Sequence, residues 1–219
     1  MATVLSVNIG RPRMHSIPAG RATGIDKRPV AVLQVRDPGP RRIVEGAGVS
    51  GVVDDHVGDG RYHGGWDRAV YAFAREELDH WERALDRRLP HGFFGENLTT
   101  SGLDVDAAQV GDRWHVGTAV LEVRWPRQPC ATFGAHMNER GWVKRFAAHG
   151  RTGAHLAVLV PGEIRPGEPI EVEPSGSGID LPSVLRAKFG DVEQARRVVA
   201  AQCYTGHRLD QMLAVLERT

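Results

Sequence analysis

The chain has 219 residues, 41% hydrophobic and 25% charged, enough to bury one full core and a small second module. Lys+Arg 28 against Asp+Glu 27 leaves a formal charge of only +1, which argues against a global basic field for nucleic acid or an anionic membrane. The two cysteines, Cys130 and Cys203, lie far apart and match neither a disulfide framework nor a CxxC zinc pattern, so a reducing compartment is expected.

Residues 1–13 lack a basic leader followed by a long apolar run, and no stretch approaches the length that spans a bilayer, so a soluble cytoplasmic protein is expected. In chain order, β-type runs fall at 4–9, 29–35, 69–73, 119–125 and 154–160, punctuated by Gly and Pro. They predict a mainly β fold with helices, of barrel or sandwich type. GDRWHVGTAVLEV and PGEIRPGEPIEV each read as a pair of strands joined by a tight turn. Helical spacing of Leu78, Trp81 and Leu85 predicts a helix over 74–85, and 141–150 predicts a second, ended by Gly150.

Beyond the loop at 173–178 the strand signal stops and apolar residues recur at i, i+3 and i+4. Asp191 with Gln194 resembles a capping box. The chain thus divides into a β unit at 1–174 and an appendage of three short helices at 179–219. The appendage is expected to serve partner docking or homodimer contacts rather than chemistry, with Cys203 as a packing residue inside it.

Three segments are rich in special residues. In the first, 59–73, His63 precedes Gly64 and Gly65, which let backbone approach a ligand closely; a tight turn with a solvated His is the plainer alternative. In the second, 91–103, the run Gly95 to Thr100 offers a carboxylate, an amide and two hydroxyls, suited to a polar ligand or simply to a capped turn entering a strand. In the third, 123–133, Cys130 follows a β run, restrained by Pro126 and Pro129 and three residues after Arg127. A lone cysteine is commonly a small buried hydrophobe, but here a nearby guanidinium favours thiolate, the form that attacks or ligates.

These segments, in this order, resemble the MOSC family, named for the C-terminal domain of molybdenum cofactor sulfurases, and in particular its stand-alone bacterial YiiM-like branch. The resemblance runs from about Thr23 to Val172 and rests on TGIDKRPV (23–30), the spaced Gly51, Asp55 and Asp59, HGGWDRAVYAF (63–73), GFFGENLTTSGL (92–103), GDRWHVGTAVLEV (111–123), PRQPC (126–130) and GRTGAHLAVL (150–159). It implies an α+β protein in which a MOSC-type β-barrel precedes a small helical extension. It also implies a molybdenum–pterin cofactor (molybdopterin), its metal held by pterin dithiolene sulfurs and one protein thiolate, carried here onto Cys130. Relatives in the family reduce N-hydroxylated compounds, hydroxylamines and N-hydroxylated bases, to amines. The match further suggests Lys27, His63, Arg68, Asn97, Thr99 and Arg127 as pocket residues.

The residues agree with that implication. Arg68, Arg127 and Lys27 are cations for a pterin phosphate, and a soft sulfur suits a metal already bound by sulfur. His63 is the candidate for proton delivery, because an imidazole changes charge near neutral pH. The sequence has no ferredoxin-like cysteine set and no GxGxxG element, so a separate electron-donating reductase is expected. Two other functions fit Cys130: a persulfide carrier that transfers sulfur, and a non-catalytic module that binds or delivers the cofactor. One position departs from the family pattern: Asp54 stands where a Gly would permit positive φ, so a differently shaped loop is expected there.

Overall fold

A computed structural model describes residues 1–14 and 22–218. Residue 219, the last of the expected helical appendage, lies outside the described residues. The strands are β1 (Thr3–Gly10), β2 (Arg13–Met14), β3 (Ala22–Thr23), β4 (Lys27–Val30), β5 (Leu33–Val35), β6 (Ile43–Val44), β7 (Ala47–Gly48), β8 (Val70–Ala74), β9 (Leu98–Ser101), β10 (Arg113–Val116), β11 (Ala119–Pro126), β12 (Ala154–Val160), β13 (Gly162–Ile164) and β14 (Ile170–Glu173). The helices are α1 (Arg75–Leu85), α2 (Ala131–Met137), α3 (Trp142–His149), α4 (Leu181–Lys188), α5 (Val192–Ala200) and α6 (Gly206–Leu216).

Eight strands form one sheet in the order β14-β10-β11-β12-β8-β9-β1-β4. Every pairing in it is antiparallel except β8 with β9, whose parallel register sets Ala72 beside Leu98. The fold is therefore mixed α+β, and no closed barrel is found among the described residues. The sheet does curl: Val4 N donates to Glu168 O at 3.0 Å and Gly167 N to Val4 O at 2.7 Å, so the start of β1 meets the turn that leads into β14. An isolated bridge between Thr3 and Pro169 and a hydrogen bond from Ile170 N to Ala2 O at 3.0 Å add to the contact there.

The alternation of buried and half-buried residues along β11 places Leu121 and Val123 in the main core, and all of β8 is buried, as expected for a strand covered on both faces. A second core is aromatic: Phe73, Trp81, Phe94, Phe133, Trp142 and Phe146 join α1, α2 and α3 to the sheet. Its rings meet edge-to-face or tilted, for instance Phe94 with Phe133 at 5.1 Å and 72° and Phe73 with Phe94 at 5.2 Å and 41°. A third core binds α4, α5 and α6 to Val110 and Trp125, with Tyr204 edge-on to Trp125 at 5.3 Å.

Two local expectations need correction. PGEIRPGEPIEV is not a hairpin, because β13 pairs with β5 (Gly162 opposite Val35) while β14 pairs with β10 (Val116 opposite Ile170). The run 29–35 is likewise broken into β4 and β5, which pair with different partners, β1 and β13.

Candidate functional site

One cleft of about 1200 Å³ collects most of the residues that the sequence singled out: Lys27, His63, Arg68, Asn97, Arg127 and Cys130 all line it. Thr99 is not brought to it. That hydroxyl is fully buried, accepts from Asn8 Nδ2 at 3.2 Å and donates to Glu96 Oε1 at 3.0 Å, so it braces the layer beneath.

Cys130 is placed by the end of β11. Pro126 still pairs with Ala154, Arg127 N donates to Gly153 O, and Pro129 fixes the approach to α2, of which Cys130 is the N-cap. Phe133 and Met137 anchor that helix in the aromatic core, which leaves the half-buried thiol facing the cleft. Burial is the largest influence on the thiol and opposes ionisation. Against it act a hydrogen bond from His63, the charge of Arg127, the charge of His63 and the Phe133 N–H, and together they bring the thiol down to about 7. The thiol is therefore easier to ionise than an ordinary cysteine.

His63 is set by its two glycines. Gly64 and Gly65 have φ of 79° and 90°, and a Cβ on Gly64 would stand 2.7 Å from the Val49 carbonyl oxygen. Trp66 N donates to Gly39 O at 2.8 Å, and the short turn Trp66–Arg68 carries Arg68 into the cleft wall. Burial, and then repulsion from Arg208, lower the Arg68 guanidinium to about 10, still cationic at neutral pH. Its Nε is buried without a partner, and so is Nη1 of Arg127, a residue 7% exposed whose guanidinium lies 3.7 Å from the Phe133 ring centroid. Arg68 and Arg127 thus both line the cleft as cations, each with one buried N–H that has no partner.

Lys27 and Asn97 are held by a residue that the sequence reading placed only in a spaced series, Asp55. Its side chain, 3% exposed, ion-pairs with Lys27, accepts from Gly10 N at 2.7 Å, and accepts from Asn97 Nδ2 at 3.2 Å and Ser50 Oγ at 3.2 Å. Asn97 also accepts from Tyr71 N and donates to Asn8 O, so its amide ties β8, β1 and the Asp55 loop together. Asp54 itself adopts φ 63°, the positive-φ backbone that a Gly would have permitted at this position.

Two features escaped sequence reasoning. His155, on β12, lines the cleft; burial, and then the charges of Arg68, Arg127, His63 and Arg208, hold its pKa well below the ordinary value, so the ring is neutral. A lone His interrupting the apolar run AHLAVLV was the available signal. The helical tail, expected to stand away from the chemistry, instead contributes Thr205, His207, Arg208 and Gln211 to the cleft wall. Cys203 is not among the lining residues; it packs half-buried in the third core, and burial raises its thiol.

Among the described residues no group of three or more His, Cys, Asp or Glu is placed to hold a metal ion, and no helix is long and apolar enough to cross a membrane.

Residues 59–171 match the family model described as "MOSC domain". YflK of Bacillus subtilis (strain 168) is 33% identical over 195 residues, 87% of this chain and 82% of YflK. A protein named "Reductase" from Gibberella moniliformis is 32% identical over 144 residues, 62% of this chain but only 25% of that protein. The crystal structure of YiiM from Geobacillus stearothermophilus superposes with a TM-score of 0.75 at 25% identity, covering 99% of this chain and 100% of that one.

Proposed function

The chain belongs to the MOSC domain family, and from that premise we propose that it is a molybdenum cofactor-dependent oxidoreductase that reduces N-hydroxylated compounds to amines. The observation that carries this reading is that the Cys130 thiol, held as the N-cap of α2, shares one large cleft with His63, Arg68 and Arg127, surroundings that favour the thiolate. The similarity to a fungal reductase supports the reaction class.

The residues present fit the cofactor. A pterin phosphate supplies the anion that the buried Arg127 Nη1 and Arg68 Nε lack, with Lys27 as a further cation nearby. Cys130 offers the single soft ligand that a dithiolene-bound metal still accepts. When bound, the cofactor supplies the two-electron chemistry. The chain's own residues bind and orient: Arg68 and Arg127 fix the phosphate, Asp55 and Asn97 brace Lys27 and the floor, and Thr99 supports Asn97 from below through Glu96 and Asn8. His63 delivers a proton to the substrate, whose reduction takes two electrons and two protons, breaks the N–O bond and leaves an amine and water.

The electrons come from a separate reductase. The same reading assigns the protein to the cytoplasm, without nucleic-acid or membrane partners, and takes 1–174 as the MOSC-type domain and 179–219 as the helical extension, which also offers a surface for homodimer contacts.

The test compares the parent chain with Cys130→Ser, which replaces a soft thiolate by a poorly ionised hydroxyl of similar volume. Molybdenum per chain, the metal's spectrum and reduction of a hydroxylamine by a chemical donor are measured on both. The expected result is metal in the parent, an altered spectrum in the variant and loss of turnover. Parent protein that carries cyanide-labile sulfur on Cys130 and no metal would establish the sulfur carrier instead, and bound cofactor without turnover would establish a delivery module.

A further inference from the structure

Arg208, on α6, is 7% exposed and lies 4.0 Å over the Trp125 ring. Its Nε and Nη2 converge on one oxygen of Asp67, at 2.7 and 2.6 Å, although 141 residues separate the two in sequence. Asp67 belongs to the turn that follows Gly64 and Gly65, flanked by two cleft residues, His63 and Arg68. The backbone hydrogen bonds of that turn are His63 N to Asp59 O, Gly65 N to Val49 O at 3.5 Å, Trp66 N to Gly39 O and Arg68 N to Gly65 O.

We propose that Arg208 is a positioning residue, a strap from the helical tail that fastens the His63–Arg68 turn against the cleft and keeps the Asp67 carboxylate off Arg68. The second half of that role follows from charge. Asp67, the residue before Arg68 in the chain, favours the charge of that guanidinium, and Arg208 acts on it with opposite sign. With Arg208 gone, the half-buried Asp67 would be left to the neighbouring cation Arg68 and would cancel a charge on the cleft wall. A buried ion pair contributes little net stability by itself, so its value here lies in where it holds the turn.

The inference rests on the reading that His63, Arg68 and Cys130 serve one site, but its test does not need the cofactor. Amide hydrogen exchange is followed in the full-length protein for Trp66 and Arg68, with Ala195, Val198 and Met212 as reporters of the tail core. Asp67→Asn and Arg208→Ala are each expected to speed exchange at Trp66 and Arg68 about tenfold, as loss of a charge-assisted hydrogen bond implies. The double variant should be no faster than either single, and Arg208→Lys should recover part of the protection. In Asp67→Asn, which leaves Arg208 on Trp125, the tail reporters should stay protected. Unchanged exchange at Trp66 and Arg68 in Asp67→Asn overturns the proposal, as does a double variant equal to the sum of the singles. Because Asp67→Asn lies outside the tail, the test survives if Arg208→Ala fails to fold. Molybdenum content measured on the same samples should fall furthest in Arg208→Ala, which loses the strap and frees the Asp67 carboxylate to act on Arg68, and less in Asp67→Asn, which loses the strap alone; parent protein without molybdenum would defeat the functional reading while leaving the exchange result to decide the strap.

Discussion

Glu96 shows how a residue can serve a site while working against stability. It is fully buried under the cleft floor, with Oε1 accepting from Gly92 N at 2.5 Å and from Thr99 Oγ1 at 3.0 Å, while Oε2 has no partner. Burial is the main cause of its shift and lifts the carboxyl from 4.5 to about 7, because the hydrogen bonds offset only part of the desolvation. The folded state then keeps a proton that the unfolded chain releases near 4.5. Stability therefore falls as pH rises through that window, and the deficit is complete above about 7. For a shift of this size the deficit is on the order of 3 kcal/mol. Glu96→Gln should remove it, raising the thermal midpoint at pH 8 and leaving it nearly unchanged at pH 4. A variant that loses stability with pH as steeply as the parent would show that Glu96 is not the titrating group. At this scale the sequence was informative where chemistry is local: Cys130 after Pro126 and Pro129 and His63 before two glycines both reach the cleft. It was silent where partners are distant, since nothing in the neighbourhood of Asp55 announces that it joins Gly10, Lys27, Ser50 and Asn97.

Among the elements, the loop from Gly51 to Asp59 carries the clearest consequence. Asp54 is exposed at φ 63°, immediately before the buried carboxylate that holds Lys27. Asp tolerates the left-handed region because its short polar side chain bonds locally, whereas a β-branched residue there costs about 1–2 kcal/mol more. Asp54→Val should therefore lower stability by roughly that amount, and Asp54→Gly should sit within about 1 kcal/mol of the parent. Denaturant unfolding of the three proteins checks both, and equal midpoints for Val and Gly would count against a backbone explanation. The strands β1, β8, β11 and β12 were legible because alternating or continuous apolar runs report burial directly. The β13 and β14 pairing was not: turn residues predict a reversal of the chain, but which strand accepts each hydrogen bond is decided by the curl of the sheet. The short helix α2 also went unseen, since its seven residues carry too few apolar positions for a period, and packing of Phe133 into the aromatic core fixes it instead.

For the molecule as a whole, the open question of physical interest is how far the tail is a separate unit. Its three helices have local signatures, including Asp180 and Asp191 as N-caps accepting from Ser183 N at 2.8 Å and Gln194 N at 3.0 Å. Their core is nonetheless shared with the sheet: Trp125 and Val110 are buried among Val184, Val198, Tyr204 and Met212, and Tyr204 Oη donates to Arg124 O at 2.7 Å. A chain ended at Pro174 would expose the Trp125 ring and Val110, lose the Tyr204 and Arg208 contacts, and open one wall of the cleft. The ring alone accounts for roughly 4–6 kcal/mol of apolar burial, from about 150–250 Å² at ~25 cal/mol/Å², a large part of the net stability of an ordinary domain. The truncated chain should unfold at a markedly lower temperature or aggregate through the uncovered patch, and it should bind an apolar dye that the parent excludes. Calorimetry, dye fluorescence and light scattering on the two chains measure this. A truncated chain with the parent's midpoint and no dye binding would mean that residues 1–174 need nothing from the tail to fold, and the tail's contribution would then be confined to the cleft wall.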